Sequence, residues 1–470
     1  MRSAARDDLW RRVHRDTARL LALISLRYEN LPGFPNDTLS FTRPITAICG
    51  ANGTGKTTLL KSVWAALDLQ ATGFGATLLR LGQARLNATL LREDKEEQYE
   101  TDLGTGVGND LGVVTYIDSA VASMGIQKNF ALKEDIEAVL NGVDPIPLDA
   151  EQIRNISFLV GKEYDKVEIF EVEEAGDIQP FFRAVEQGIS YDSRTMGLGE
   201  LCILFIFWKL LTVNPNSICL VEEPETFVSP ATQASLMDLV ASMSTSKRLW
   251  IILTTHSPAI IERLQDENIR FLYRHTGQSR LMPQASRNAA LKGLGLRPAA
   301  KIIVAVEDRV SREFCRLWIG AHDIDLLDRL EIIDVGSASK VTTARNAFPK
   351  SKLTRLIGVY DGDQSSVITD APIKHCFLPG SISVEAMFRQ TARDCTLQAA
   401  EVFGRPFDLV AATFAELAGV DDHDWLLEFG RRLGLTLEQT LQGLFRCWYS
   451  RAENEALSLR AFQRLAELDL

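Results

Sequence analysis

The stretch ICGANGTGKTTLL, residues 48–60, decides how the first half of this chain is read. Its core, Gly50, Ala51, Asn52, Gly53, Thr54, Gly55, Lys56 and Thr57, fits the pattern G-x-x-x-x-G-K-[ST] without a mismatch. The apolar PITAICG (44–50) reads as a strand and TGKTTLLKSVWAALDL begins a helix, which puts the glycines in a strand-to-helix turn. In such a turn, glycines let successive backbone N–H groups face a phosphate, and the helix presents the positive end of its dipole. Gly50, Asn52, Gly53, Gly55, Lys56, Thr57 and Thr58 are the expected nucleotide contacts. Lys56 is placed on the β and γ phosphates and the Thr57 hydroxyl on Mg²⁺.

Three further pieces point from nucleotide binding to hydrolysis. The run ICLV reads as a buried strand that delivers Glu222 and Glu223 at its C-terminal end, where ligands of parallel sheets collect. Glu222 is placed to hold Mg²⁺ through water, and Glu223 to polarise an attacking water. His256 stands just past the strand-like IILTT, from where imidazole can reach a γ phosphate. In YDSRTMGLGELCILFIFW, Gly197, Gly199 and Glu200 open a helix and can offer N–H groups to a second phosphate site.

Together these parts resemble an ABC-type ATPase head of the kind found in SMC-like and OLD-family proteins, over about residues 20–280. VEEPETFVSP looks like Walker B followed by the D-loop, TTHSP like the H-loop and MGLGE like the signature motif. The resemblance implies ATP as cofactor and a head-to-tail homodimer, in which the signature of one subunit completes the ATP site of another. Glu222 stands where the wider superfamily usually has Asp. Gly197 stands where the signature serine would be, which removes a hydroxyl from the γ-phosphate contact across the dimer.

A second α/β pattern begins near residue 300. IIVAVED ends an apolar strand on Glu307, and RLIGVYDGD ends another on Asp361 and Asp363. The D-x-D spacing puts both aspartates on one side of an extended segment, where they can share a divalent cation, with a glutamate from a neighbouring strand beside it. Hard oxygen ligands of this kind suit Mg²⁺ or Mn²⁺. VEDRVSREF and VYDGD resemble the two acidic motifs of a TOPRIM domain, over about 298–390, and FLPGSISVEAMF resembles the segment that follows in OLD-like nucleases. That resemblance implies Glu385 as a further metal ligand. Asp308 stands where glycine is usual, and Ser311 where an acidic residue is often found.

An ABC-type ATPase followed by a TOPRIM domain is the arrangement of OLD-family nucleases, and it also looks like a fusion of the two parts of PARIS-type anti-phage systems. The expectation is an α/β protein with an ABC-type P-loop head at 1–285 (an insertion at about 71–190), a TOPRIM domain at 296–390 and a helical region at 391–470. The expected activity is an ATP-gated, metal-dependent nuclease on DNA or RNA. The competing expectation is an ATP-switched sensor or scaffold whose noncatalytic TOPRIM domain docks a separate effector or answers a phage trigger. The intact D-x-D favours the first; Ser311 and Gly197 favour the second.

The remainder of the sequence sets bounds. A length of 470 residues suggests two or three domains, and a net charge of -11 confines any nucleic-acid contact to a local patch. The seven cysteines form no C-x-x-C pair, so they read as buried thiols of a cytoplasmic protein. No apolar segment is long enough to span a bilayer; LCILFIFWKLL (201–211) reads as a buried helix. The charged run at 92–102 reads as a solvated helix face, GTGVG (104–108) as a flexible loop, and the polar stretch 275–298 as a linker.

Overall fold

The computed structural model describes residues 3–15, 19–70, 74–174, 176–282, 285–296, 302–348, 354–368 and 375–468, in two units, Met1–Leu296 and Arg297–Leu470. The strands of the first unit are β1 (Leu21–Glu29), β2 (Asp37–Ser40), β3 (Ile45–Gly50), β4 (Arg85–Arg92), β5 (Lys95–Asp102), β6 (Val114–Asp118), β7 (Tyr164–Glu174), β8 (Asp177–Glu186), β9 (Ile189–Asp192), β10 (Ile218–Glu222), β11 (Trp250–Thr255), β12 (Ile269–His275) and β13 (Gln278–Met282).

Every residue of β3 and β11 is buried, the pattern of parallel strands covered on both faces. Their side chains alternate between two cores. Ile45, Ala47 and Cys49 join one with Val221 and Leu253; Ile48 joins the other with Leu220, Ile252 and, from the helix Lys56–Leu67, Leu59 and Val63. These strands lie in a sheet of order β13-β12-β3-β11-β10-β6, parallel except for β13. From β3 the chain crosses to the far edge at β6, comes back inward through β10 and β11 to the flank of β3, and then places β12 on the other side of β3, so the glycine loop leaves the sheet where the strand order reverses.

Three sequence expectations need correction. The charged run 92–102 is β5, not a helix: Arg92 pairs with Lys95 around Glu93 and Asp94, both at positive φ (49° and 65°). That is a two-residue hairpin turn without its usual Asn-Gly signal. The stretch 71–190 is not an insertion throughout, because β4 and β5 complete the antiparallel sheet β2-β1-β4-β5 and β6 is an edge of the main sheet. What projects beyond them is the antiparallel sheet β7-β8-β9 with its flanking helices. The stretch 275–298 is no linker either: β13 folds back on β12, and the helix Arg287–Gly293 buries Ala290 and Leu291 in the unit's core.

In the second unit β14 (Ile302–Val306), β15 (Leu330–Asp334), β16 (Arg355–Tyr360) and β17 (His375–Phe377) form a parallel sheet of order β15-β14-β16-β17. β15 lies on one side of β14 and β16 on the other, so this order also reverses, between β14 and β16. The helices beyond residue 391 share one core with this sheet, including Trp318, Phe388, Trp425 and Trp448. Among the described residues no helix is long and apolar enough to cross a membrane.

Candidate functional site

The glycine loop has the backbone its chemistry requires. Gly53 and Gly55 have φ of 75° and 93°, in the left-handed region, and a Cβ on Gly55 would meet the Phe34 ring at 2.5 Å. No side chain caps the helix that starts at Lys56, which leaves its first N–H groups to face an anion. Lys56 is 5% exposed and turns back on the loop: Nζ donates to Gly50 O at 3.0 Å and Ala51 O at 3.3 Å, and lies 3.2 Å from Glu223 Oε1. Asn52 is exposed at the loop tip, and Thr58 is half-buried in the first helical turn.

The strand-end acids arrive as the sequence anticipates. Glu222, the last residue of β10, accepts hydrogen bonds from the Thr57 and Tyr116 hydroxyls. Glu223 has φ of 37°, strained for a non-glycine residue, and its N–H donates to Thr254 Oγ1 at 3.1 Å. His256 Nδ1 lies 3.6 Å from Glu223 Oε1 and 3.4 Å from Glu225 Oε1. Thr57, Glu222, Glu223, Lys56 and His256 thus converge on the loop.

Three residues here escaped the sequence reading. Glu225 is buried; its Oε1 accepts from Thr255 Oγ1 and the His256 N–H, both at 2.7 Å, while Oε2 has no partner. Burial pushes its carboxyl above the usual range. Tyr116 stacks on Trp64, ring centroids 4.6 Å apart, and burial followed by the Glu222 charge raises its hydroxyl pKa. Asp118 ends β6 in register with Glu222, its carboxyl raised by burial first and by Glu222 and Glu223 after that. VVTYID has the same apolar-run-then-acid pattern as SICLVE, a signal that could have found Asp118.

Gly197 is the N-cap of the helix Leu198–Thr212. A Cβ on Gly199 would meet Phe227 O at 2.5 Å, so the helix start packs closely on the segment that follows VEEPE. Glu200 is spoken for: it accepts from Tyr164 Oη at 2.6 Å, Tyr191 Oη at 2.7 Å and Lys162 Nζ at 2.9 Å. Among the described residues no hydrogen bond joins Gly197, Gly199 or Glu200 to the glycine loop of the same chain.

The second unit gathers its acids at the reversal between β14 and β16. Glu307 follows β14, and its Oε1 accepts the Asp361 N–H at 3.1 Å. Asp361 follows β16, is 6% exposed and accepts from Ser311 Oγ at 2.7 Å. Burial, with Glu307, Asp308 and Glu385 nearby, pushes Asp361 from 3.8 up to about 7 against the Ser311 hydrogen bond. Burial also raises Glu307, with Asp363, Asp308 and Glu385 adding to it. Glu385 is buried in the first turn of the helix Val384–Asp394.

The D-x-D is not extended, as its spacing suggested. Asp361 is the N-cap of a 3₁₀ turn, Gly362–Ser366, so Asp361 points inward and Asp363 is exposed. The turn brings Gly362 so close to Gly380 that a Cβ there would meet Gly380 O at 2.5 Å. Ser311, an apparent defect in the sequence, proves to hold Asp361. His423, on the helix Asp422–Arg432, was not foreseen; its Nδ1 lies 3.1 Å from Glu385 Oε1. Among the described residues no Lys or Arg pairs with Glu307, Asp308, Asp361, Asp363 or Glu385.

A family model described as "AAA domain" matches residues 25–169, and another, "AAA domain, putative AbiEii toxin, Type IV TA system", matches residues 160–262. The first contains the glycine loop; the second contains MGLGE, VEEPE and TTHSP. No curated protein matches the chain. Among solved structures the chain is similar to an Smc head domain from Pyrococcus furiosus bound to the C-terminal domain of ScpA (13% identity, 58% of this chain and 99% of that one, TM-score 0.39). It is also similar to the SMC head domain from Thermotoga maritima (16%, 56% and 98%, TM-score 0.32). From the family models and the loop geometry, the chain carries an AAA-type P-loop ATPase domain.

Proposed function

We propose that the protein is an ATP-gated, divalent-metal-dependent nuclease of the OLD or PARIS type, acting on DNA or RNA in prokaryotic anti-phage defence. The observation that carries this reading is the carboxylate group at the strand reversal of the second unit, unaccompanied by any Lys or Arg pair among the described residues. Glu307, Asp361, Asp363 and Glu385 would hold Mg²⁺ or Mn²⁺, which when bound supplies positive charge for a phosphodiester in-line displacement. Ser311 keeps Asp361 oriented, and the Asp361 N–H fixes Glu307.

In the first unit Lys56 and the loop N–H groups bind the ATP phosphates. Thr57 and Glu222 would hold Mg²⁺, Glu223 would orient and deprotonate water, and His256 would contact the γ phosphate. MGLGE of a second copy completes the site, so ATP controls a homodimer. The AbiEii description of the matching family model supports a role in defence.

A nuclease assay on plasmid DNA and on total RNA, with Mg²⁺ or Mn²⁺ and with or without ATP, tests this. Cleavage by the wild type, lost in Asp361→Ala and released from ATP control in Lys56→Ala, is the expected result. Absent cleavage, or cleavage that survives Asp361→Ala, overturns the nuclease reading. It would leave the ATP-switched scaffold, which Gly197 favours by lacking the signature hydroxyl.

A further inference from the structure

His423 stands 38 residues beyond Glu385 in sequence, yet the fold sets the two against each other. Asp308 completes a trio: one ligand atom from each of Asp308, Glu385 and His423 lies within 4.8 Å of the other two. An ion at the centre of three donors that far apart would stand about 2.8 Å from each, against first-row metal–ligand distances of about 2.0–2.2 Å. Closing the trio on an ion therefore takes movements of less than about an ångström.

We propose that Asp308, Glu385 and His423 form a cation position of two carboxylates and one imidazole, taking first-row transition cations of the Mn²⁺ to Zn²⁺ kind in preference to Mg²⁺. The proposal rests on the reading of the adjoining acids as a cation centre and adds a second position that shares Glu385 with it and differs by its imidazole. Oxygen-only ligands suit Mg²⁺, whereas imidazole favours the softer first-row metals. The three donors are held differently. Asp308 caps the helix Arg309–His322 by accepting the Ser311 N–H at 2.8 Å, which fixes its carboxylate. Glu385 is 6% exposed and set in a capped helix start, with Ser383 accepting the Ala386 N–H. The His423 side chain is 66% exposed, so its ring is open to solvent and free to adjust to an incoming ion.

The C-terminal helices thereby supply a ligand to the β14–β16 centre. A plain ion pair between His423 and Glu385 would give the same 3.1 Å contact without a metal, so the test must detect the nitrogen itself.

The full chain, stripped of metal with a chelator, is titrated with Mn²⁺ and followed by pulsed electron paramagnetic resonance. Expected is a bound Mn²⁺ with nitrogen modulation. His423→Ala abolishes the modulation and weakens that position by about tenfold or more. Asp361→Asn keeps it while losing nuclease cleavage. Absence of nitrogen modulation in the wild type, its persistence in His423→Ala, or displacement of this Mn²⁺ by about a hundredfold excess of Mg²⁺ overturns the proposal. Cleavage that survives Asp361→Ala overturns the nuclease reading instead, and leaves the nitrogen signal as a separate result. Because His423 is largely exposed, its replacement leaves the core untouched.

Discussion

At the glycine loop the charged groups answer one another. Lys56 rests on two loop carbonyls and on Glu223, and Glu222 is met by the Thr57 and Tyr116 hydroxyls. At the ends of β14 and β16 they do not: Glu307, Asp308, Asp361, Asp363 and Glu385 crowd together with hydrogen bonds from Ser311 and the Asp361 N–H, and His423 is the basic side chain that reaches them. Both centres sit where the strand order of a parallel sheet reverses, so the difference lies in side chains and not in fold. The first sets Lys56 and two hydroxyl donors against its acids. The second has no Lys or Arg pair among the described residues.

The largest effect expected from this comparison is at Glu223. Glu223→Gln keeps an acceptor for Lys56 but cannot take a proton, so ATP turnover should fall by about 10²–10⁴-fold. Binding of a fluorescent ATP analogue should persist, because the loop is untouched. Turnover equal to the wild type would remove Glu223 from the hydrolytic role and leave the first centre a binding site.

The second centre should betray its repulsion in its pH dependence. Asp361 is raised from 3.8 to about 7 in the fold, so its ionisation opposes folding. The penalty is absent below pH 3.8, where the group is protonated in both states, grows from there to about 7, and is complete above that. It amounts to roughly 2–4 kcal/mol. Chelated protein should therefore lose stability in denaturant titrations as pH rises through this window. Asp361→Asn should flatten that loss, and Mn²⁺ should restore the wild type at pH 8. A flat profile in the chelated wild type would mean that the carboxylates are not crowded as described.

Backbone geometry separates the two centres on a smaller scale. Gly362→Ala places a Cβ against the Gly380 carbonyl, which cannot move aside, and should cost about 1–3 kcal/mol and displace Asp361. Gly53→Ala meets no atom within 4 Å and suffers only from its φ of 75°, about 1–2 kcal/mol. Differential scanning fluorimetry on the two variants should rank them in that order.

What the sequence disclosed is what neighbouring residues encode. ICGANGTGKTT, VEE and TTH announce themselves because an apolar run, a turn and a polar end are contiguous, and the same local grammar exposes Glu307 and Asp361. The hidden features depend on backbone turns or on distant partners. The Glu93–Asp94 turn needs two positive φ values that neither residue advertises, so β5 looked like a charged helix. The 3₁₀ turn at Gly362 packs against Gly380, a partner distant in sequence, so the D-x-D spacing misled. Ser311, Tyr116 and His423 act through partners 50, 106 and 38 residues away, beyond any periodicity.

Tyr116 gives the finest test of the first centre. Its hydroxyl and that of Thr57 occupy the two oxygens of Glu222, and its ring is held by Trp64 independently of that bond. Were Thr57 to turn to a bound Mg²⁺, Tyr116 would be the donor left on Glu222. Tyr116→Phe preserves the stack and removes only the donor, worth about 1 kcal/mol. The Mg²⁺ concentration for half-maximal ATP turnover should rise by roughly fivefold, since 1.4 kcal/mol is a factor of ten, with little change at saturating Mg²⁺. An unchanged Mg²⁺ requirement would show that Glu222 is positioned by its strand alone.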